Sequence, residues 1–241
     1  SFTVIIVPLI TSCIIVFQNV LNEPINEIKD SYQRVNPKDS EYIYIPVAQT
    51  NDIHGHLFPE HHEIITKDEI IKYTTGGLEY LSQYINILQK EFGEERILYL
   101  DGGDKFISSM NEQDNELINE FLNLMGLNGA TLGNHEFDYP REWLESMIKK
   151  SKYKILINNI KDSKTNITKG ILGDNVDSSF IYDIKLENGD IIKIGVIGLT
   201  YNMKNEKTIL ARSAKTWEGI NFYSYMTGLE EEANKLRENG A

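Results

Sequence analysis

Cysteine is almost absent from this chain: Cys13 is the only one among 241 residues. A fold built on disulfide bonds needs paired cysteines, so that class is excluded. Positive charge is also scarce, because 24 Lys and Arg face 36 Asp and Glu, which gives a net charge of −12. Proteins that bind the phosphate backbone of a nucleic acid duplex need a basic surface, so we expect that this protein does not bind a nucleic acid duplex. Small phosphorylated ligands are not excluded, since bound metal cations would reverse the local field.

Charged residues are missing altogether from positions 1–22, where Ile, Val, Leu and Phe dominate the first seventeen residues. This pattern predicts a signal peptide or a short membrane anchor, and a buried strand or helix of the main domain is the alternative. The polar, proline-containing residues 23–41 predict a linker, and we assign 42–241 to one folded domain. We therefore expect an extracytoplasmic protein, either secreted or associated with a membrane through residues 1–22.

From residue 42 onwards, strand-like and helix-like patterns alternate, which is typical of α/β architecture. Apolar residues at helical spacing predict helices over 77–92, 114–125, 139–150 and 225–239. Short apolar runs predict strands over 42–47, 97–100, 130–132 and 154–157. Asn188-Gly189 lies between two further runs, 180–186 and 191–199, and predicts a hairpin turn.

Three polar segments each follow a short strand-like run, and each contains glycine beside possible metal ligands. They are residues 52–55 with Asp52 and His54, residues 102–104 ending in Asp104, and residues 133–138. Loops at the carboxyl ends of strands meet in one crevice of an α/β sheet. We therefore expect these side chains to lie together.

The residue types in these segments suit divalent metal ions. Asp52 and His54 are two residues apart, so on an extended strand end both can reach one ion. A single carboxylate at Asp104 could bridge two ions about 3.5–4 Å apart. Asn134 offers an amide oxygen and His135 an imidazole, and Asp138 is close enough in sequence to accept a hydrogen bond from that ring. The set predicts half of a two-metal phosphoesterase centre.

In this order, the segments resemble the calcineurin-like metallophosphoesterases, and within them the 5′-nucleotidase family, which also includes UDP-sugar hydrolases and cyclic-nucleotide phosphodiesterases. The protein Ser/Thr phosphatases have Asp-Arg-Gly after their second metal motif, whereas Lys105-Phe106-Ile107 follows Asp104 here. The resemblance rests on residues 50–57, 76–78, 101–104, 133–138, 158–159 and 194–200.

The resemblance implies an α/β fold in which two β-sheets are sandwiched between helices (α/β/β/α), incomplete in this chain. It also implies two divalent ions of the zinc, manganese, magnesium or iron type. Asp52 and His54 would hold the first ion, Asp104 would bridge, and Asn134 would hold the second ion and contact the substrate phosphate. His135 would be catalytic and contact the phosphate, with Asp138 as its partner.

The implied reaction is 5′-nucleotidase-type hydrolysis of nucleoside phosphates by a metal-bridging hydroxide, in nucleotide catabolism. The implied partner is thus a small phosphorylated molecule. One alternative is another calcineurin-like phosphoesterase that acts on protein, lipid, UDP-sugar or cyclic-nucleotide phosphate. The other alternative is a non-catalytic surface or binding protein that kept the fold.

The chain departs from the family pattern in its histidines. The family completes its centre with later histidines, including a Gly-His-x-His segment, but no histidine follows His135 here. We therefore expect residues 42–241 to be the N-terminal part of a catalytic domain, and the 241-residue chain alone to show little or no activity.

Other conspicuous residues receive structural interpretations. His56 is expected near the metal edge, His61-His62 in a solvated loop, and Trp143 and Trp217 in packing roles. The acidic residues 230–232 predict the start of an exposed helix.

Overall fold

The computed structural model describes residues 45–106, 111–186, 188–200 and 219–241. The segments 1–22 and 23–41 and the side chain of Trp217 lie outside these residues, so their assignments remain predictions. The strands are β1 (Val47–Thr50), β2 (Glu60–Ile65), β3 (Ile70–Thr75), β4 (Leu98–Asp101), β5 (Gly129–Ala130), β6 (Lys154–Leu156), β7 (Ile160–Asp162), β8 (Val176–Asp177), β9 (Ser179–Lys185), β10 (Ile191–Ile197) and β11 (Ile220–Phe222). The helices are α1 (Leu78–Phe92), α2 (Glu112–Leu124), α3 (Arg141–Lys150) and α4 (Leu229–Glu238), with 3₁₀ turns at Glu94–Arg96 and His135–Asp138.

The larger of two compact units, here called the main unit, comprises Ile45–Leu57 and Leu78–Ala241. A five-stranded sheet in the order β1-β4-β5-β6-β8 forms its centre, and all the strand pairs of this sheet are parallel. The predicted α/β fold is confirmed. Thr50 pairs with Asp101, and Asp101 pairs with Ala130, so the ends of β1, β4 and β5 are neighbours. Because the strands run the same way, the loops after these three strands emerge at one edge of the sheet.

Helices α1 to α3 bury apolar faces in the core shared with this sheet, and their positions match the periodicity of the sequence. The buried apolar residues of these three helices are Leu78 and Ile85 of α1, Ile118 and Leu122 of α2, and Leu144, Met147 and Ile148 of α3. Helix α2 begins two residues earlier than predicted because the Asn111 side chain caps it, accepting a hydrogen bond from the Asp114 N–H. No helix within the described parts of the chain is long and apolar enough to span a membrane.

Two predicted boundaries were wrong. The first described strand is Val47–Thr50, and neither Ile45 nor Pro46 of the predicted strand 42–47 is extended into its ladder, while residues 42–44 lie outside the described residues. Pro46 has no N–H to donate, and its carbonyl accepts from Leu98, so pairing starts just after it. The last helix starts at Leu229 rather than 225, after Gly228 adopts a left-handed φ of 73°.

Three further predictions for the main unit hold. Strands β9 and β10 form the expected hairpin, with Gly189 at φ 90° in its turn. Trp143 packs between aromatic rings, stacked on Tyr139 at 3.9 Å and edge-on to Phe106 at 5.5 Å. The acidic residues 230–232 form the first turn of α4.

Residues 58–77 belong to a second compact unit, in which β2 and β3 pair antiparallel from Glu60 opposite Thr75 to Ile65 opposite Ile70. The expectation of a solvated loop at His61-His62 was wrong, because both residues lie on β2. Their ring nitrogens lie 2.9 and 2.8 Å from the hydroxyls of Thr74 and Thr75. The β-branched residues on both strands favour this extended pairing.

Asn159 is a buried polar residue on which the main unit depends. It is 0 % exposed; its Nδ2 donates to the carbonyls of Thr200 (2.7 Å) and Tyr223 (3.2 Å), and its Oδ1 accepts from the Thr200 N–H (2.9 Å). Asn159→Ala should lower the free energy of unfolding by about 3 kcal/mol, since each buried group left unpaired costs roughly 1–3 kcal/mol. Urea unfolding measures this, with the exposed Asn234→Ala on α4 as the control; an equal effect of both would contradict the assignment.

Candidate metal centre

Main-chain hydrogen bonds join the loop after β1 to the loop after β4. The N–H of Asp52 donates to Gly103 O at 3.0 Å, and the N–H of His54 donates to Asp104 O at 2.9 Å. The parallel pairing of β1 with β4 thus continues past the strand ends as a ladder between loops. This ladder sets the distance between the first two predicted ligand segments.

Backbone strain is concentrated at three of the predicted ligands. Asp52, His54 and Asp104 have left-handed φ values of 53°, 47° and 53°. Such a conformation costs a non-glycine residue on the order of 1–3 kcal/mol and persists where its surroundings enforce it. It turns these side chains together: His54 Nε2 lies 3.3 Å from an Asp52 carboxylate oxygen and 3.7 Å from an Asp104 oxygen.

The loop after β5 closes against Asp104. The His135 N–H donates to Asp104 Oδ1 at 2.8 Å. A Cβ at Gly133 would lie 2.2 Å from that same oxygen, so only glycine leaves room for the carboxylate. The glycines in these motifs therefore serve close approach between loops as well as turning.

His54, Asp104 and His135 bring their ligand atoms within 4.8 Å of one another. The Nε2 atom of His54 is buried and forms no hydrogen bond, although the Asp52 oxygen is near in distance. Burial raises the pKa of the Asp104 carboxyl, and the nearby Glu136 adds to the rise. A cation here would relieve both the unpaired nitrogen and the buried carboxylate, and this donor set suits zinc, manganese or iron.

His135 is held from its other side by Asp138. The His135 Nδ1 lies 2.7 Å from Asp138 Oδ2, and the Asp138 side chain is only 7 % exposed. The 3₁₀ turn that spans both residues creates this contact. A carboxylate on one ring nitrogen fixes the tautomer and orientation of an imidazole.

Asp52 and Asn134 share a cavity with Asp104, and Asp52 is not part of the close His54–Asp104–His135 cluster. The cavity measures about 500 Å³ and is open and mostly polar. It is lined by Gln49, Asn51, Asp52, Gly102, Gly103, Asp104, Leu132, Gly133, Asn134, Leu199 and Tyr225. The structure thus brings all six predicted residues to the same edge of the sheet. Some belong to the close cluster and some to the cavity lining, and Asp138 contacts the His135 ring. Exposed His56 belongs to neither the close cluster nor the cavity lining.

Sequence reasoning assigned no role to Glu136, Lys105 or Asp101, which form a buried charged group behind this edge. Their side chains are 0 %, 1 % and 0 % exposed. Burial alone would lower the pKa of Lys105, but the carboxylates of Glu136 and Asp101 outweigh it and raise that pKa, so the ammonium stays charged. The one hint of this group in the sequence was the charged Lys105, which stands between Asp104 and the apolar Phe106.

A profile of the calcineurin-like phosphoesterase family matches residues 45–238 of this chain. Among curated proteins, the 5′-nucleotidase of Rattus norvegicus is 26% identical over 197 residues, which cover 80% of this chain and 31% of that protein. Protein UshA of Salmonella pullorum is 30% identical over 167 residues, which cover 68% of this chain and 26% of that protein.

Solved structures agree on the fold. The NAD nucleotidase of Haemophilus influenzae superposes with a TM-score of 0.60 at 23% identity, covering 80% of this chain and 32% of that one. The 5′-nucleotidase precursor of Thermus thermophilus gives 0.59 at 23% identity, covering 81% and 35%. This chain spans about a third of the length of these relatives. With the family profile matching most of its length, the chain belongs to the calcineurin-like phosphoesterase family.

Proposed function

We propose that this chain carries part of the catalytic site of a metal-dependent hydrolase that acts on nucleoside phosphates. The observation that carries the proposal is the close group of His54, Asp104 and His135, in which the buried His54 Nε2 has no hydrogen bond. It lies where parallel strands of an α/β sheet end, the usual place for ligands in such folds. Relatives named as 5′-nucleotidases support the substrate class.

The ligand roles are those that the family resemblance implies. Asp52 and His54 would hold one divalent ion, Asp104 would be a shared ligand, and Asn134 would hold a second ion and contact the phosphate. When bound, two such ions supply Lewis acidity that polarises a phosphoryl group and lowers the pKa of water. Zinc, manganese, magnesium and iron remain the candidate metals.

His135 would act on the substrate. Because Asp138 engages Nδ1, the ring offers Nε2 to a phosphoryl oxygen or to the leaving oxygen. A proton held there stabilises negative charge as the bond to the leaving group breaks. Asp138 would keep the ring in that tautomer and would support its positive charge.

The polar cavity beside these residues suits a small charged ligand. Its lining residues include Asn51, Asn134 and Tyr225, residue types that offer hydrogen bonds and an aromatic face. We therefore propose that the phosphoester binds in this cavity.

We also propose that the protein works outside the cytoplasm, supported by the charge-free residues 1–22; fractionation of cells that produce the intact protein would test this.

The proposal is tested with purified intact protein, stripped of metal and then supplied with manganese or zinc. We expect phosphate release from adenosine monophosphate only in the presence of metal. Parallel assays use a UDP-sugar, a cyclic nucleotide, a phosphopeptide and a phospholipid. Preference for one of these would favour another phosphoesterase activity, and no hydrolysis with any metal would support a binding protein instead.

A further inference from the structure

We infer that Glu136 is a positioning residue which, with Lys105, locks the three ligand loops in their binding geometry before any metal arrives. The role in metal binding rests on the proposed function, whereas the hydrogen bonds that hold the loops together do not depend on it. Glu136 touches none of the reacting groups in the proposed mechanism, so it would act through the residues that do.

The Glu136 carboxylate accepts main-chain hydrogen bonds from two different loops. Oε2 accepts from the N–H of Asp104 at 2.9 Å and of Gly133 at 2.7 Å. Oε1 accepts from the N–H of Lys105 at 2.7 Å and, more weakly, of Phe106 at 3.4 Å. A single ionised group therefore ties the loop after β4 to the loop after β5, and charge-assisted bonds of this kind are about twice as strong as neutral ones.

Lys105 supplies the charge that lets this carboxylate remain buried. Its Nζ lies 3.7 Å from Glu136 Oε1 and 3.5 Å from Asp101 Oδ1, and it donates to Thr131 O at 3.0 Å. A buried carboxylate without a cation is strongly destabilised. Loss of Lys105 should therefore weaken the grip of Glu136 on the loops.

Asp101 extends the group to the first strand. Its carboxylate accepts hydrogen bonds from the Thr50 hydroxyl at 2.7 Å and from the Gly103 N–H at 2.9 Å. Thr50 ends β1, directly before the segment that holds Asp52 and His54. The Lys105–Asp101–Glu136 group thus touches the roots of all three ligand loops.

Strain explains why the loops need such a clamp. Asp104 sits at a left-handed φ of 53°, which costs a non-glycine residue free energy, and its N–H is one of those that Glu136 holds. Without the carboxylate, this turn can relax to an ordinary conformation. The Asp104 side chain would then leave the His135 N–H, and the ligand atoms would move apart.

The test separates positioning from plain stability. Glu136→Gln has nearly the same shape, but its amide nitrogen would face backbone N–H donors whichever way it points. We expect it to weaken manganese binding about 10–100-fold, the effect usual for groups that orient metal ligands. We also expect faster hydrogen exchange at the Asp104 and Gly133 amides in metal-free protein. Lys105→Met should change both readouts in the same direction.

Leu144→Ala serves as the control, because Leu144 is fully buried on α3 and contacts no predicted ligand segment through a hydrogen bond. It should lower the melting temperature without changing manganese affinity or exchange at those two amides. The double variant Lys105→Met/Glu136→Gln should bind manganese little worse than Glu136→Gln alone, since the two residues act as a unit.

The inference is overturned if Glu136→Gln matches Leu144→Ala both in manganese affinity and in hydrogen exchange at the Asp104 and Gly133 amides. If Glu136→Gln does not fold, the same comparison is made with Lys105→Met. Failure of the proposed function alone would give a different result. Manganese would then bind neither the wild-type protein nor any variant, yet hydrogen exchange at the Asp104 and Gly133 amides would still be faster in Glu136→Gln than in the wild type. That outcome would support the clamp while removing the metal it was proposed to serve.

Discussion

Asp104→Asn is expected to abolish most of the metal-dependent phosphoesterase activity of the intact protein. The Asp104 carboxylate lies 3.7 Å from the His54 ring nitrogen and accepts the His135 N–H, so it is central to the close cluster. Lewis-acid stabilisation by bound ions is worth several kcal/mol, and about 1.4 kcal/mol corresponds to a tenfold change in rate. We therefore expect kcat/KM to fall by roughly 10²–10³-fold.

The comparison with Asp52→Asn makes this prediction specific. Asp52 is 56 % exposed and lies outside the close cluster, so its loss should disturb one ion and cost less activity. Asp183→Asn, an exposed position on β9, is the control for removal of a carboxylate. Steady-state rates at saturating manganese measure all three. Substantial turnover by metal-stripped Asp104→Asn protein would be incompatible with a two-metal site.

His135→Ala is expected to lower turnover by about 10²–10⁴-fold, the range typical of a group that transfers or holds a proton in the transition state. Metal content should stay nearly unchanged. The geometry makes this a sharp question, because His135 lies within 4.8 Å of both His54 and Asp104 and could equally be a ligand. The contact with Asp138 fixes the ring tautomer and would suit either role, so the metal content of the variant decides between them.

Metal analysis of the purified variants decides between these roles. Asp138→Asn should retain metal and lose less activity than His135→Ala, because the ring survives but its tautomer is no longer fixed. His61→Ala on β2 is the control for loss of an imidazole. Loss of one equivalent of metal from His135→Ala would make His135 a ligand.

The sequence predicted that the three polar segments would lie together because the signal for this is local. Each of the three segments combines glycine with polar residues directly after a short apolar strand, and parallel strands place such segments side by side. The helices were predictable for a similar reason, since their apolar faces repeat at helical spacing. Their ends moved by a few residues where a cap decided the boundary, as Asn111 does for α2.

The hairpin of β2 and β3 and the buried charged group could not be predicted in the same way. The hairpin lacks an Asn-Gly turn, and His61-His62 with its acidic neighbours reads as solvated until the pairing with Thr74 and Thr75 is known. Glu136 and Lys105 look like ordinary surface charges in sequence. Only the tertiary fold shows that both are buried and that the carboxylate accepts hydrogen bonds from two loops.

The parallel pairing of β1, β4 and β5 has a consequence for how the protein acquires its site during folding. The Thr50–Asp101 hydrogen bond joins residues that are 51 positions apart in the sequence, and the His135–Asp104 hydrogen bond joins residues that are 31 positions apart. Closing such loops costs chain entropy before any contact compensates for it, so folds dominated by distant pairings form slowly. Helices α1 to α3 can form from neighbouring residues, but the ligand edge can arise only after both long loops have closed. Recovery of metal binding should therefore lag behind recovery of helical signal during refolding.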